Sequence, residues 1–269
     1  MEIRKISVVV FSLFMGYAST AQETPLQETS LYEKGQFISG QDTLRYRILY
    51  PENFNEDTSY PLVLFLHGSG ERGNDNEKQL MHGSSLFTEA SHRKEFPAIV
   101  VFPQCPEDDY WSNVEVDRST NPVGLEFNYE KGPTKAMDLV TKMVDEFTAK
   151  NYVNNDRVYV MGLSMGGMGT FELLAQKPDI FAAAVPICGG GEAASVENYA
   201  KKVPLWVFHG AQDNVVNPQE SVTMVAAILD AGGHPRFTLY DKAGHNSWDS
   251  AFAEPDFLPW LFSHSKIRE

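Results

Sequence analysis

Gly162-Leu163-Ser164-Met165-Gly166 constrains this chain more than any other stretch, because it sets one serine in a glycine-flanked turn between two different hydrophobic patterns. Before it, Val158-Tyr159-Val160-Met161 reads as a short buried strand; after it, Thr170-Phe171-Glu172-Leu173-Leu174-Ala175 reads as an amphipathic helix. A strand that turns directly into a helix strains the backbone at the corner and leaves room only for small neighbours, which Gly162 and Gly166 supply. Gly167 gives the helix space to pack close to the sheet. The hydroxyl then stands at a helix N-terminus, whose partial positive charge favours an oxyanion. The plain alternative is a serine that only caps the helix. A base and an acid elsewhere in the chain decide between the two.

The first residues carry Arg4 and Lys5, an apolar run from Ile6 to Ala18, then Ser19-Thr20-Ala21 before the polar Gln22-Glu23-Thr24-Pro25. This is the pattern of a signal peptide over 1–21, cleaved after Ala21 to give a secreted or periplasmic protein; the apolar run is short of the ~20 residues that span a bilayer. Residues 22–36 are expected as an N-terminal leader, its first part polar and without period, and 37–269 as one catalytic domain, a length that needs no division. The net charge is −14, becoming −15 once the segment holding Glu2, Arg4 and Lys5 is removed. Such acidity repels nucleic acid and anionic lipid, so neither is an expected partner, nor is a membrane once the signal is cleaved; nothing in the composition sets an oligomeric state. Cys105 and Cys188 are the two cysteines; a disulfide and a pair of buried free thiols are both open in an oxidising compartment. No cysteine–histidine pair has ligand spacing, so no metal is expected, and no organic cofactor either.

Phe37 to Tyr50 alternates as an antiparallel hairpin around Ser39-Gly40-Gln41-Asp42. Beyond it, Leu62–Leu66, Ala98–Phe102, Arg157–Met161, Ala182–Ile187, Leu205–Phe208 and Arg236–Tyr240 read as short strands. Helical patterns fall between most of them, over Thr134–Lys150, Gly166–Gln176 and Gln219–Ala231. This alternation predicts an α/β fold with a mostly parallel central sheet, helices on both faces and the antiparallel hairpin at its N-terminal edge. Ligands bind such sheets outside the carboxyl ends of the strands. There the sequence places His67-Gly68-Ser69-Gly70, the serine elbow, His209-Gly210-Ala211-Gln212-Asp213, and Asp241-Lys242-Ala243-Gly244-His245. A serine, an acid and a histidine thus occur in the order Ser164, Asp213, His245.

Together His67-Gly68-Ser69-Gly70, Gly162-Leu163-Ser164-Met165-Gly166-Gly167, Asp213 and Gly244-His245 resemble the α/β-hydrolase superfamily over about residues 37–264. The longer string Leu66-His67-Gly68-Ser69-Gly70-Glu71-Arg72-Gly73-Asn74-Asp75-Asn76, with Pro103-Gln104-Cys105-Pro106 and Trp111-Ser112, is similar to small secreted bacterial esterases. That group is related to dienelactone hydrolases and to feruloyl or acetyl carbohydrate esterases, and its members are also labelled phospholipases, carboxylesterases or peptidases. The resemblance implies a serine esterase acting on a small ester or an acylated saccharide. Its rivals are a serine peptidase and a catalytically silent binding protein on the same scaffold.

In the esterase reading Ser164 is the nucleophile, His245 the general base and Asp213 the group that orients the imidazole. His67 and His209 compete with His245, but each precedes a glycine on a tight turn and suits shaping of the backbone; His234 reads as an exposed turn. Asp241 competes with Asp213 but falls after the last strand. The oxyanion is expected to meet the N–H of Met165 and that of Ser69, with Gly70 as the alternate. Trp111 and Trp248 are the expected substrate-binding aromatics, with core packing as the alternative for each. Glu71 and Arg72 read equally as an ion pair or as substrate contacts. Residues 69–95 and 104–131 exceed common connection lengths and are the expected rim of the site.

Overall fold

Runs such as Leu62-Val63-Leu64-Phe65-Leu66 are apolar on both sides of the strand, so they are stable only where both faces are covered. The computed structural model, which describes residues 29–266, meets that demand. Strands β1 (Glu33–Ser39), β2 (Asp42–Leu49), β3 (Tyr60–Leu66), β4 (Ile99–Gln104), β7 (Val153–Leu163), β8 (Ala183–Ile187), β9 (Trp206–Gly210) and β10 (Arg236–Tyr240) form one sheet in the order β1-β2-β4-β3-β7-β8-β9-β10. The pairs β1/β2 and β2/β4 are antiparallel and the rest parallel. A separate two-stranded hairpin consists of β5 (Val114–Asp117) and β6 (Gly124–Phe127).

The helices are α1 (Ser84–Thr88), α2 (Ala90–Glu95), α3 (Lys135–Thr148), α4 (Met165–Gln176), α5 (Pro218–Asp230), α6 (Ser247–Phe252) and α7 (Phe257–Ser263). Alternate residues of β3 enter different cores. Leu62, Leu64 and Leu66 pack in a cluster with Val140 of α3, Phe171 of α4 and Ile228 of α5. Val63 and Phe65 pack in a second cluster with Phe87 of α1 and Phe257 and Leu261 of α7. Two buried layers on opposite faces hold the central strands rigidly, so their carboxyl ends are a fixed platform.

The long strands and helices expected from the sequence recur within four residues of their expected ends, and the strand Arg236–Tyr240 matches at both. The register Ser39↔Asp42 leaves Gly40, at φ +64°, in the expected hairpin turn. The leader needs correction. It does not run to residue 36, because Tyr32 is buried and Glu33 to Gln36 already pair in β1. The cause is Arg47 of β2, whose buried guanidinium donates to the carbonyls of Tyr32 (3.0 Å), Thr29 (2.8 Å) and Asn76 (3.1 Å) and to Glu77 (2.9 Å). The signal segment and the cleavage after Ala21 lie outside the described residues. Among the described residues, no helix is long and apolar enough to cross a membrane.

Candidate active site

Ser164 follows the last residue of β7 and precedes the first of α4, with φ +54° and ψ −119°. Its N–H donates to the Ile187 carbonyl at 2.9 Å and its carbonyl accepts from Met168 at 3.0 Å, so sheet and helix together hold a conformation that a free chain would leave. The glycines beside it are sterically required. A Cβ on Gly166 would overlap the Leu66 carbonyl of β3, and one on Gly162 would overlap the carbonyl of Gly166.

The loop after β10 carries His245 back over this corner. Ser164 Oγ lies 3.0 Å from His245 Nε2, and His245 Nδ1 lies 2.8 Å from Asp213 Oδ2. A carboxylate can only accept, so Nδ1 bears the proton and Nε2 presents a lone pair to the serine hydroxyl. Asp213 sits in the turn after β9 with its side chain inaccessible to solvent. Burial alone would favour the neutral acid, but hydrogen bonds from His209 and His245 and from the Val215 N–H (2.8 Å) outweigh it and hold the carboxyl well below the usual carboxylate range. The Val216 N–H also donates to Oδ1, at 3.0 Å.

The competing residues stand elsewhere. Asp241 is exposed, with its carbonyl accepting from Gln212, and His234 is exposed as expected. His67 is buried, its Nε2 accepting from the Cys105 N–H at 3.0 Å and its Nδ1 donating to the Gly68 carbonyl at 2.7 Å. His209 is also buried but does more than shape a turn, since it reaches the same Asp213 oxygen that His245 uses. Its spacing of four residues from Asp213 was the available signal.

The loop Gly68–Glu71 passes beside the serine. The Gly68 carbonyl accepts from His67 and from the Glu71 N–H (3.3 Å), and the Ser69 carbonyl accepts from Arg72 Nε (3.0 Å). Because N–H and C=O point oppositely across a trans peptide, these bonds fix the planes that carry the Ser69 and Gly70 N–H groups. Arg72 spends its other bond on the Asp109 carbonyl and lies over the Tyr110 ring. Glu71 instead faces the cleft, 3.8 Å from His82.

An open cleft of about 260 Å³ surrounds Ser164 and His245, walled by Tyr110, Met168, Val216 and Trp248, and both expected rim segments contribute to it. Trp248 stands edge-on to His245, with ring centroids 5.3 Å apart. Trp111 is a correction: it is fully buried, packed against His67 and beneath Gly169 of α4, and its neighbour Tyr110 faces the cleft instead. The chain bends at 111–112, and Glu172 pins the bend by accepting from Ser112 Oγ (2.9 Å) and the Asn113 N–H (2.7 Å). The β5–β6 hairpin supplies Val116, Arg118, Val123 and Leu125 to the rim. The sequence reading missed this hairpin, whose only signal was a four-residue alternation on each side of Asn121-Pro122.

Cys105 and Cys188 are both buried free thiols, and burial pushes each well above the ordinary thiol value. Cys188, Asp213 and His245 are close enough together to resemble a ligand set. The carboxylate oxygen and imidazole nitrogen nearest each other are, however, already engaged in the hydrogen bond described above.

Residues 54–255 match the phospholipase/carboxylesterase family. The chain belongs to that family, and its sheet carries the α/β-hydrolase fold. The crystal structure of a thermostable esterase superposes on it with a TM-score of 0.80 at 33% identity, covering 89% of this chain and 64% of that one. Feruloyl esterase B of Thermothelomyces thermophilus is 25% identical over 241 residues, 77% of this chain and 76% of that protein. The bifunctional acetylxylan esterase/xylanase XynS20E of Neocallimastix patriciarum is 32% identical over 87 residues, 32% of this chain and 13% of that enzyme. The chain therefore spans less than two thirds of the length of the first and last of these.

Proposed function

We propose that this family member is an exported serine hydrolase of carboxylic esters, and that its substrates are acylated saccharides. The observation that carries the reading is the unbroken chain from Ser164 Oγ through His245 to Asp213, at 3.0 and 2.8 Å. Ser164 Oγ attacks the acyl carbon while its proton passes to His245 Nε2, and the carbonyl electron pair moves onto oxygen. The N–H groups of Met165 and Ser69, or Gly70 in its place, receive that oxyanion. The intermediate collapses with cleavage of the C–O bond, and His245 returns its proton to the departing alcohol. Water then attacks the acyl-enzyme, losing its proton to His245, and the acid leaves as the Ser164 hydroxyl reforms. Asp213 keeps the imidazole in the tautomer each step requires.

The saccharide preference is supported by the acetylxylan and feruloyl esters named for two relatives, and by a cleft whose Tyr110 and Trp248 offer flat aromatic surface to a phenolic acyl group or a sugar ring. Export is supported by the pattern of residues 1–21. The test is covalent labelling by a fluorophosphonate together with release of acid from p-nitrophenyl acetate and from acetylated and feruloylated saccharides. Ser164→Ala should lose the labelling and roughly 10⁴-fold or more of the turnover. Labelling that survives the substitution would sink the reading, and faster turnover of peptide amides than of esters would replace it with a peptidase.

A further inference from the structure

His209 lies one residue before the end of β9, and α5 begins eight residues beyond the end of that strand, so the first turn of α5 packs back on the imidazole. The ring is wholly buried. Its Nδ1 is 2.7 Å from Ser221 Oγ, and its Nε2 is 3.1 Å from Asp213 Oδ2 and 3.2 Å from the Val216 carbonyl. Ser221 Oγ is in turn 2.8 Å from the Gly189 carbonyl, to which it donates.

Counting protons around the ring leaves little freedom. With the single hydroxyl proton of Ser221 donated to the Gly189 carbonyl, Ser221 Oγ accepts from the imidazole. Nδ1 therefore bears a proton. On the other side both partners of Nε2 are acceptors, a carbonyl and an ionised carboxylate, so Nε2 bears one too. A neutral ring would either set a bare Nε2 against two acceptors or draw the Ser221 proton away from the Gly189 carbonyl, in a place water does not reach.

We propose that His209 is a buried imidazolium that grips Asp213 from behind and serves as a positioning residue for the Ser164–His245–Asp213 system. It rests on the assignment of those three residues as the catalytic set. The grip has two consequences. Mechanically, Asp213 has a donor on every side, two backbone N–H groups on Oδ1 and two imidazoles on Oδ2, so it cannot rotate away from His245. Electrostatically, the fixed positive charge takes up part of the carboxylate's attraction for the charge that His245 acquires when it accepts the Ser164 proton.

The other titratable groups near the ring come from different elements. Glu220 flanks Ser221 on α5 and is half-buried; burial raises its carboxyl and His209 opposes that rise. Cys188, at the end of β8, is a protonated thiol beside Asp213. His245 stands across the shared oxygen, and the register neighbour on β10 is Leu239, which carries no charge.

The decisive measurement is nitrogen NMR of the ¹⁵N-histidine-labelled Ser164→Ala protein, with His209 assigned by the loss of its signals in His209→Gln. Because the spectrum reads protonation and not turnover, the result is independent of whether the catalytic assignment is right. Both ring nitrogens of His209 should carry protons from about pH 5.5 to about pH 8; a ring with one proton in that range overturns the proposal. In the active background, His209→Gln keeps a donor toward Asp213 but removes the charge. The acid limb of its kcat/KM profile on p-nitrophenyl acetate should move upward by roughly one pH unit, with KM within about twofold of the parent. A limb that stays in place overturns the electrostatic role, since damage to packing alone lowers the rate without moving the limb. Ser221→Ala leaves the histidine present and removes the acceptor of its Nδ1 proton. It should shift the limb the same way by a smaller amount, which keeps the test open should His209→Gln not fold.

Discussion

Two histidines of this molecule follow the same local rule and end in opposite states. His67-Gly68 and His209-Gly210 each close an apolar parallel strand at its carboxyl end, and both rings are buried. His67 has one acceptor and one donor, the Gly68 carbonyl and the Cys105 N–H, which a neutral ring satisfies completely. Burial then pushes its protonation down to about 4, with Arg72 adding to the effect. His209, at equal depth, faces the Ser221 hydroxyl at one nitrogen and an ionised carboxylate and a carbonyl at the other, the set of partners that the proposed imidazolium satisfies. Burial sets the cost of a charge, and the partners decide whether it is met. Each ring serves one half of the site: His67 fixes the peptide that presents the Ser69 N–H, and His209 fixes the acid behind His245.

The largest effect expected from breaking the comparison is at the shared carboxylate. Asp213→Asn replaces an acceptor for two imidazoles by a group that also donates, and turnover of p-nitrophenyl acetate by the folded protein should fall roughly 10⁴-fold, with a lowered thermal midpoint because buried His209 loses its carboxylate partner. A loss under about tenfold would mean that Asp213 does not orient His245.

Next in size is the acid response of His67. Its folded-state value, about 4, lies below the 6.5 of a free histidine, so the unfolded chain takes up the proton first. Stability is therefore lost as pH falls through the window from about 6.5 to about 4, by up to about 3 kcal/mol, and the loss levels off below it. Urea midpoints across that window should fall less steeply in His67→Asn than in the parent; equal slopes would place the acid sensitivity elsewhere.

The smallest effect belongs to the aromatic partners of the two corners. Trp111 covers His67 from inside the core, whereas Trp248 covers His245 from the cleft. Trp248→Ala should lower kcat/KM by roughly tenfold on a feruloylated saccharide and by less on p-nitrophenyl acetate, because stacking area is lost only where the acyl group has a ring. Equal losses on both would assign Trp248 to supporting His245 and not to holding substrate.

Much of this site could be read before any coordinates, for a definite reason. Strand ends in a parallel sheet all point one way, so residues just after Leu66, Leu163, Gly210 and Tyr240 had to share an edge however the intervening chain ran. The sheet itself followed from the apolar runs and the helical patterns between them. Hidden from that logic were features governed by contacts distant in sequence. Arg47 ordered the segment from Thr29 to Tyr32, which composition alone presents as loose. Glu172 set the facing of the loop at 110–113, turning Tyr110 toward the cleft and Trp111 away from it. The short β5–β6 hairpin has too few alternating residues to stand out from a polar connection.

By itself the sequence determined the layered sheet, the strained serine corner and the order in which serine, acid and histidine arrive at one edge, because periodicity and glycine punctuation act locally along the chain. Only the tertiary structure decided which buried histidine faces the carboxylate and which tryptophan meets the cleft. Protonation and facing depend on the donors and acceptors brought within about 3 Å, and several of these come from residues 12 to 60 positions away.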